Sequence, residues 1–236
     1  MGTLFIIATP IGNLEDISIR ALRTLYKVDA IACEDTRRTG TLLKLLEEKY
    51  SFILEVKRSR PELISYYEQN EFERIPQVIT ALKNGLNVAL VSDAGTPAIS
   101  DPGFKLIREC INENISVESI PGPSAVISAL VVSGLPTDKF LFLGYPPRKP
   151  GHRKSFIAKI KQLTEIVSPT LILFESPHKL KTTLLDLQLT LGDLEIVLCR
   201  ELTKVYESKR REKISDALSH YEKTDPKGEY VILFHL

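Results

Sequence analysis

Short apolar runs alternate along the chain with segments whose apolar residues recur at helical spacing. The short runs predict buried strands, and the helical spacing predicts amphipathic helices. Strands are predicted at residues 4–8, 30–33, 52–54, 64–67, 88–91, 117–120, 140–143, 170–174, 196–199 and 230–234. Helices are predicted at residues 17–25, 42–46, 71–83, 104–111, 124–132, 155–165, 179–191 and 215–221. Such an alternation is typical of an α/β fold.

A proline-rich break divides this pattern into two parts. Residues 121–123 are Pro-Gly-Pro, and neither proline fits a continuing strand. A chain of 236 residues can form one large domain or two small ones. We therefore predict an N-terminal α/β domain over residues 1–121 and a C-terminal α/β domain over residues 122–236.

The loop at residues 92–103 is the most informative stretch of the chain. It holds two Gly, two Pro, two Asp and two Ser residues between a buried strand and a helix. Loops of this length are uncommon unless they are functional or disordered, and the composition is not that of a disordered segment. It would lie at the carboxyl edge of a parallel sheet, where open α/β folds bind ligands. The alternative is a connecting loop with Gly and Pro as breaks.

A second polar cluster follows the predicted strand at residues 30–33. Arg37 and Arg38 could bind an anionic substrate while Glu34 or Asp35 handles a proton. The alternative is that Asp35 or Thr36 caps the next helix and the arginines are solvated.

The first turn does not have the dinucleotide-binding fingerprint. That fingerprint needs three glycines, and only Gly12 is present. Pro10 has no N–H to offer a phosphate, so the turn is expected to lie against a ligand that lacks phosphate. In the second half, Glu175 follows a predicted strand in the same way, and another polar cluster follows at residues 200–204. A cleft between two sheets, each presenting such loops, is the simplest arrangement.

The loop at residues 146–154 is basic and rich in proline. It could grip RNA phosphates, or it could be a mobile surface loop. Its charged residues are Arg148, Lys149, Arg153 and Lys154. The tripeptide at residues 209–211 is similarly basic, but Glu207 and Glu212 flank it.

The composition excludes several classes of protein. Hydrophobic residues make up 43%, charged residues 26%, and the net charge is +1, which is ordinary for a globular protein and argues against a surface that coats nucleic acid. The first apolar run is too short for a signal peptide or a membrane span, which predicts a cytoplasmic protein. The three cysteines are widely spaced and without metal-ligand spacing, so we predict buried free thiols and no metal site.

Six motifs together resemble one known family. They lie at residues 9–17, 34–37, 92–103, 121–124, 174–178 and 200–204. In this order they are similar to the tetrapyrrole-methylase (class III) group of S-adenosylmethionine-dependent methyltransferases. One departure is the segment at residues 66–71, Tyr-Tyr-Glu-Gln-Asn-Glu, where such enzymes usually carry histidines.

The resemblance implies a fold, a cofactor and a substrate. The fold would be two α/β domains of the tetrapyrrole-methylase type, with the cofactor in the cleft between them, in a homodimer. The reaction would be methylation of the ribose 2′-hydroxyl of a cytidine in the decoding region of small-subunit ribosomal RNA. The residues expected to contact S-adenosylmethionine are Pro10, Asp93, Thr96, Ser124, Ala125 and Phe174.

The expected chemistry needs no metal. Methyl transfer is an in-line displacement, and a carboxylate or a cation near the weakly acidic ribose hydroxyl would assist it. Glu34, Asp35 and Glu175 are the candidate carboxylates and Arg37 is the candidate cation, with Arg38 and the basic loop binding RNA. The sequence leaves open which carboxylate, if any, is the base.

Two other functions are compatible with these features. One is a C-methyltransferase acting on a tetrapyrrole precursor; such enzymes usually have Gly-Asp-Pro where this chain has Ser92-Asp93-Ala94, and lack the cluster at residues 34–37. The other is an inactive RNA-binding relative, against which the intact polar clusters argue.

Overall fold

Two five-stranded sheets organise the protein, one in each half of the chain. The computed structural model describes residues 1–54, 60–164 and 166–236. Its contacts divide the chain into two compact units, Met1–Ser124 and Ala125–Leu236. The division falls one residue after the Pro-Gly-Pro segment at residues 121–123.

The first unit is a parallel sheet flanked by helices. Its strands are β1 (Thr3–Ile7), β2 (Ala30–Cys33), β3 (Glu62–Ser65), β4 (Val88–Val91) and β5 (Ser116–Ile120). Its helices are α1 (Ile19–Leu25), α2 (Thr36–Tyr50), α3 (Glu71–Lys83) and α4 (Phe104–Asn112), with a short 3₁₀ turn at Leu14–Asp16. The strand order is β3-β2-β4-β1-β5, and every pairing is parallel.

Both faces of this sheet are buried, which explains its continuous apolar strands. Alternate strand residues contact α1 and α2 on one face, where Ile31 packs with Leu22 and Leu46. The remaining strand residues contact α3 and α4 on the other face. Because all five strands are parallel, their carboxyl ends lie along one edge. The loops that follow the strands therefore meet at that edge.

The second unit is a mixed sheet. Its strands are β6 (Phe140–Phe142), β7 (Thr170–Glu175), β8 (Glu195–Arg200), β9 (Ser208–Lys213) and β10 (Tyr230–His235). Its helices are α5 (Ala125–Ser133), α6 (Pro150–Thr164), α7 (Pro177–Leu191) and α8 (Ile214–Lys223). The order is β6-β7-β10-β8-β9; β6 and β7 are parallel, and the other pairs are antiparallel. The α/β class predicted from the sequence is confirmed.

The apolar pattern predicted one strand that does not form and missed one that does. The predicted strand at residues 52–54 is wrong: these residues form a turn after α2, and Leu54 joins the core. The pattern also missed β9, whose sequence is Ser-Lys-Arg-Arg-Glu-Lys. Because β9 is an edge strand with only alternate residues partly buried, charged side chains are compatible with it.

The predicted helix at residues 155–165 starts earlier than expected. Helix α6 begins at Pro150, a residue that is favourable in the first turn of a helix because it has no N–H to satisfy. The second half of the predicted basic loop is therefore helical. The predicted last residue, Glu165, lies outside the described residues.

Candidate active site at the carboxyl edge of the first sheet

The first turn and the central loop are joined by backbone hydrogen bonds. The Thr9 N–H donates to the Gly95 carbonyl at 2.9 Å, and the Gly95 N–H donates to the Thr9 carbonyl at 3.0 Å. The Thr9 hydroxyl also donates to the Ser92 carbonyl at 3.2 Å. The sequence predicted both loops but did not indicate that Thr9 holds them together.

The loop after β5 completes this arrangement. The Thr96 hydroxyl donates to the Pro123 carbonyl at 3.1 Å. A Cβ on Gly122 would lie 3.1 Å from the Ala8 Cβ atom, so glycine permits the close approach of this loop to the end of β1. Three of the loops predicted to bind the cofactor are thus fixed side by side.

The central loop contains strained backbone. Ala98 and Ser100 have φ values of 67° and 63°, a left-handed conformation that is unfavourable for residues other than glycine. Strain of this kind clusters at functional sites, where the surrounding structure maintains it. It supports a functional role for the loop.

Asp93 connects the central loop to the acidic and basic cluster after β2. Its carboxylate accepts a hydrogen bond from Arg38 Nη1 at 2.9 Å and from the Asp35 N–H at 3.3 Å. Asp35 caps α2 by accepting from the Arg37 N–H at 2.9 Å. It also binds the Arg37 guanidinium through two contacts of 3.1 and 2.8 Å. Asp35 therefore caps α2 and also lies beside Asp93, so its capping role is compatible with the predicted site role.

The neighbouring carboxyl groups of this cluster have opposite pKa shifts. Burial raises the pKa of Glu34, and the nearby charges of Asp93 and Asp101 add to the rise. The hydrogen bonds from Arg37 hold the pKa of Asp35 well below its usual range. A pair of groups whose environments separate their pKa values is typical of acid–base sites. The raised pKa means that Glu34 gains a proton at a higher pH than an ordinary glutamate, whereas Asp35 remains ionised.

An open depression lies beside this cluster. Its volume is about 530 Å³, and its walls come from the first half of α2. Its polar lining residues are Asp35, Arg37, Arg38 and Thr41, and its apolar lining residues are Leu42 and Leu45. The Arg37 side chain is 89% exposed and so can reach a bound substrate.

Glu175 has a structural environment that differs from that of the carboxylates after β2. It is buried, and it accepts hydrogen bonds from the Ser176 N–H at 2.8 Å and from the Thr183 hydroxyl. These contacts fix the start of α7. Phe174 next to it is half-buried and packs edge-on against Phe142, with 4.7 Å between ring centroids.

The cationic side chains of the basic segment at residues 148–154 differ in exposure to solvent. Arg148, Lys149 and Lys154 are exposed. Arg153 is buried, and its Nε donates to Asp186 Oδ2 on α7 at 2.7 Å. The structure therefore gives Arg153 a role in joining α6 to α7, and we do not retain it as an RNA contact.

The second basic cluster, residues 209–211 on β9, is paired within the protein. Lys209 contacts Glu207, and Arg210 makes two hydrogen bonds to Glu212. Arg211 donates to the carbonyls of Val132 and Ser133 at the end of α5. A cation at this position stabilises the helix C-terminus.

The loop at residues 200–204 is held by its own side chains. Glu201 Oε1 accepts from the Glu229 N–H at 2.9 Å and from Lys204 Nζ at 3.1 Å. Glu201 and Thr203 have left-handed φ values of 50° and 65°. The motif thus builds a constrained turn between β8 and β9.

The edge of the first sheet fits a ligand that carries hydroxyl groups and no phosphate. Asp93 places a carboxylate at this edge, and Pro10 cannot donate a hydrogen bond to a phosphate. Two of the residues predicted to contact the cofactor, Pro10 and Thr96, are half-buried at this edge. Two more, Ser124 and Ala125, are half-buried in the segment that follows β5. S-adenosylmethionine has this chemistry.

The described part of the chain has neither a metal-binding cluster nor a membrane-spanning helix. Within residues 1–54, 60–164 and 166–236, no group of three His, Cys, Asp or Glu side chains is arranged to hold a metal ion. No helix in these ranges is both long and apolar enough to cross a membrane.

The fold and the site define a class of protein. Residues 3–218 match the family model of Tetrapyrrole (Corrin/Porphyrin) Methylases. The chain belongs to this family, whose members are S-adenosylmethionine-dependent methyltransferases.

Comparison with individual proteins gives more specific similarities. The chain is 46% identical to ribosomal RNA small subunit methyltransferase I of Thermotoga maritima, over 99% of this chain and 98% of that protein. It is 44% identical to the protein of the same name from Halalkalibacterium halodurans, over 98% of this chain and 75% of that protein. The fold is similar to uroporphyrin-III C-methyltransferase of Thermus thermophilus in complex with S-adenosylhomocysteine, with a TM-score of 0.63, 14% identity and coverage of 98% and 97%.

Proposed function

We propose that this protein transfers a methyl group from S-adenosylmethionine to the ribose 2′-hydroxyl of a cytidine in the decoding region of small-subunit ribosomal RNA. The observation that carries the proposal is the 46% identity, over nearly the whole of both chains, to a relative named for small-subunit rRNA methylation. The cluster of Glu34, Asp35 and Arg37 beside Asp93 supports it, because this cluster combines a proton acceptor with cations that suit an RNA substrate.

Each residue of the cluster has a distinct part in the proposed reaction. Glu34 accepts the proton of the ribose hydroxyl, because its raised pKa makes it the most basic of the carboxylates after β2. Arg37 projects into the depression beside α2 and stabilises negative charge on the substrate. Asp35 holds Arg37 in place through a two-point ion pair.

The cofactor residues come from the loops of the first sheet, the segment after β5 and the end of β7. We propose that Pro10, Asp93, Thr96, Ser124, Ala125 and Phe174 hold S-adenosylmethionine. When bound, it supplies the electrophilic methyl group, and the transfer depends chiefly on alignment of the two reactants. Arg38 pairs with Asp93 at 2.9 Å, so it links the cofactor residues to the RNA-binding residues.

The substrate and the assembly state complete the proposal. We propose that the protein acts in the cytoplasm on small ribosomal subunits or their RNA, as a homodimer. Sedimentation at micromolar concentration tests the assembly, and a purely monomeric species would contradict it.

One labelling experiment tests the reaction. The purified protein is incubated with radiolabelled S-adenosylmethionine and, in parallel, with small ribosomal subunits or a tetrapyrrole precursor, in EDTA. We expect label in the ribosomal RNA, at a ribose whose 3′ linkage then resists alkaline hydrolysis. Label only in the tetrapyrrole would replace the proposal with C-methylation. Cofactor binding without transfer to either would favour an inactive RNA-binding relative.

A further inference from the structure

Two phenylalanine rings are exposed at the beginnings of α3 and α4. Phe72 is 75% exposed and Phe104 is 63% exposed. Both helices follow strands of the parallel sheet, so their first residues lie at its carboxyl edge, as Glu34 and Asp93 do. Large exposed apolar side chains that lie together commonly mark a binding surface.

Each ring has a cation beside it. Lys105 Nζ lies 4.4 Å from the centroid of the Phe72 ring, and Arg108 Cζ lies 5.5 Å from the centroid of the Phe104 ring. Both distances are within the range of cation–π contacts. A cation covers only one part of a ring, and the high exposure of both rings leaves the remainder open to a partner.

A buried carboxylate joins the backbone segments that carry the two rings. Glu71 is 4% exposed and accepts hydrogen bonds from the Tyr66 hydroxyl at 2.9 Å and the Gly103 N–H at 3.2 Å. It also pairs with Lys105 Nζ at 2.8 Å. Glu71 directly precedes Phe72, and Gly103 directly precedes Phe104, so this one side chain ties together the backbone that carries both rings. The backbone positions from which the two rings project are therefore preorganised.

The geometry points to single-stranded RNA as the partner. We propose that Phe72 and Phe104 stack on unpaired bases that flank the target nucleotide, while Lys105 and Arg108 attract the phosphates. Aromatic rings combined with basic side chains are the common means of binding unpaired bases. The core of a protein–protein interface is instead depleted of lysine, and here Lys105 lies against the Phe72 ring. This inference rests on the proposed function, because it assigns a second contact region to the same RNA.

A tryptophan substitution reports the stacking directly. The chain has no tryptophan, so Phe104→Trp introduces a single indole at the surface in question. We expect its fluorescence to be quenched on titration with a single-stranded oligoribonucleotide of the decoding region. A blunt duplex of the same length should quench it much less, because paired bases cannot open to stack.

Steady-state methylation of small ribosomal subunits tests how much the two rings contribute to substrate binding and catalysis. The double variant Phe72→Ala/Phe104→Ala should raise KM for the subunit about tenfold for each ring lost, with little change in kcat or in cofactor affinity. The matched variant Phe72→Tyr/Phe104→Tyr keeps both rings and should retain the normal KM. Leu189→Ala, which removes another exposed apolar side chain from α7, should also leave KM unchanged.

Three outcomes would overturn the inference. One is a normal KM in the double alanine variant together with unquenched indole fluorescence in the Phe104→Trp variant. The second is equal quenching by duplex and single strand. The third is a double variant that sediments as a monomer where the unmodified protein is a dimer, which would make the surface a subunit contact. Because these results require an active unmodified enzyme, they are distinct from the failure of the labelling experiment.

Discussion

Asp93 lies where the central loop meets the start of α2, and both of its carboxylate oxygens accept hydrogen bonds there. The sequence predicted that Asp93 contacts the cofactor, and it independently predicted a cluster that includes Asp35 and Arg38. The sequence could not show that Asp93 and this cluster are in contact, because Asp93 and Arg38 are 55 positions apart along the chain. The parallel order of β2 and β4 brings them together.

Replacement of Asp93 separates cofactor binding from stability. Asp93→Ala should weaken S-adenosylmethionine binding about tenfold, because a charged hydrogen-bond acceptor is lost. It should lower the melting temperature little, since the Arg38 side chain that pairs with it is 71% exposed and ion pairs with an exposed partner contribute about 0–1 kcal/mol. Calorimetry in EDTA and thermal denaturation measure the two effects. Asp138→Ala removes another exposed pair and serves as the control. Equal cofactor affinity in Asp93→Ala and the unmodified protein would exclude Asp93 from the site.

Glu34 should govern the acid side of the pH–rate profile. Because burial raises its pKa, the group gains a proton at a higher pH than an ordinary glutamate, and kcat/KM should fall as the pH decreases through that value. Glu34→Gln should reduce the rate by about 10²–10⁴ and remove this titration. In Asp35→Asn the titration should persist, because the pKa of Asp35 is lowered and lies outside the same range. An unchanged acid limb in Glu34→Gln would assign the proton to another group.

Helix α6 shows how a secondary-structure element can change the role that the sequence indicates for a residue. From the sequence, Arg153 belonged to a basic loop, and only its neighbours in the fold reveal it as a buried partner of Asp186. The reason is that the helix starts at Pro150, which turns Arg153 inward while Lys149 and Lys154 remain exposed. Strand β9 was missed for a related reason, since an edge strand does not need an apolar sequence.

The ion pair between α6 and α7 should be sensitive to loss of one partner. The side chains of Arg153 and Asp186 are 5% and 7% exposed, so Asp186→Ala would leave a buried guanidinium without its counter-charge. We expect a loss of about 3–5 kcal/mol in the free energy of unfolding, measured by urea denaturation. The double variant Arg153→Met/Asp186→Leu removes both charges and should recover most of that loss. A change below about 1 kcal/mol in Asp186→Ala would show that the pair contributes little.

The charge of the whole molecule limits how it can attract RNA. A net charge of +1 gives no general attraction, so binding must depend on local groups of cations. The structure pairs the cations of residues 209–211 internally and buries Arg153. The exposed cations of the basic segment that remain are Arg148, Lys149 and Lys154.

Salt dependence measures the contribution of these cations. Each phosphate contact that is lost should reduce the slope of log affinity against log salt by roughly 0.7–0.9. Arg148→Ala/Lys149→Ala should therefore weaken binding to small subunits and flatten the slope, with cofactor affinity unchanged. Lys159→Ala/Lys161→Ala removes two exposed charges further along α6 and should have a smaller effect. Unchanged affinity and slope in the first variant would make the segment a simple connector.

The sequence alone determined most of the helices and strands and the candidate chemistry of the loops between them. Apolar periodicity is a local property, so it predicted most strands and helices, the polar loops that follow the strands, and the residues able to carry charge or a proton. Only the tertiary structure decided which of these residues share a site. Strand order placed Asp93 on the cluster at residues 34–38, Glu71 tied Phe72 to Phe104, and burial removed Arg153 from the surface. These outcomes depend on contacts between distant segments, which local patterns do not encode.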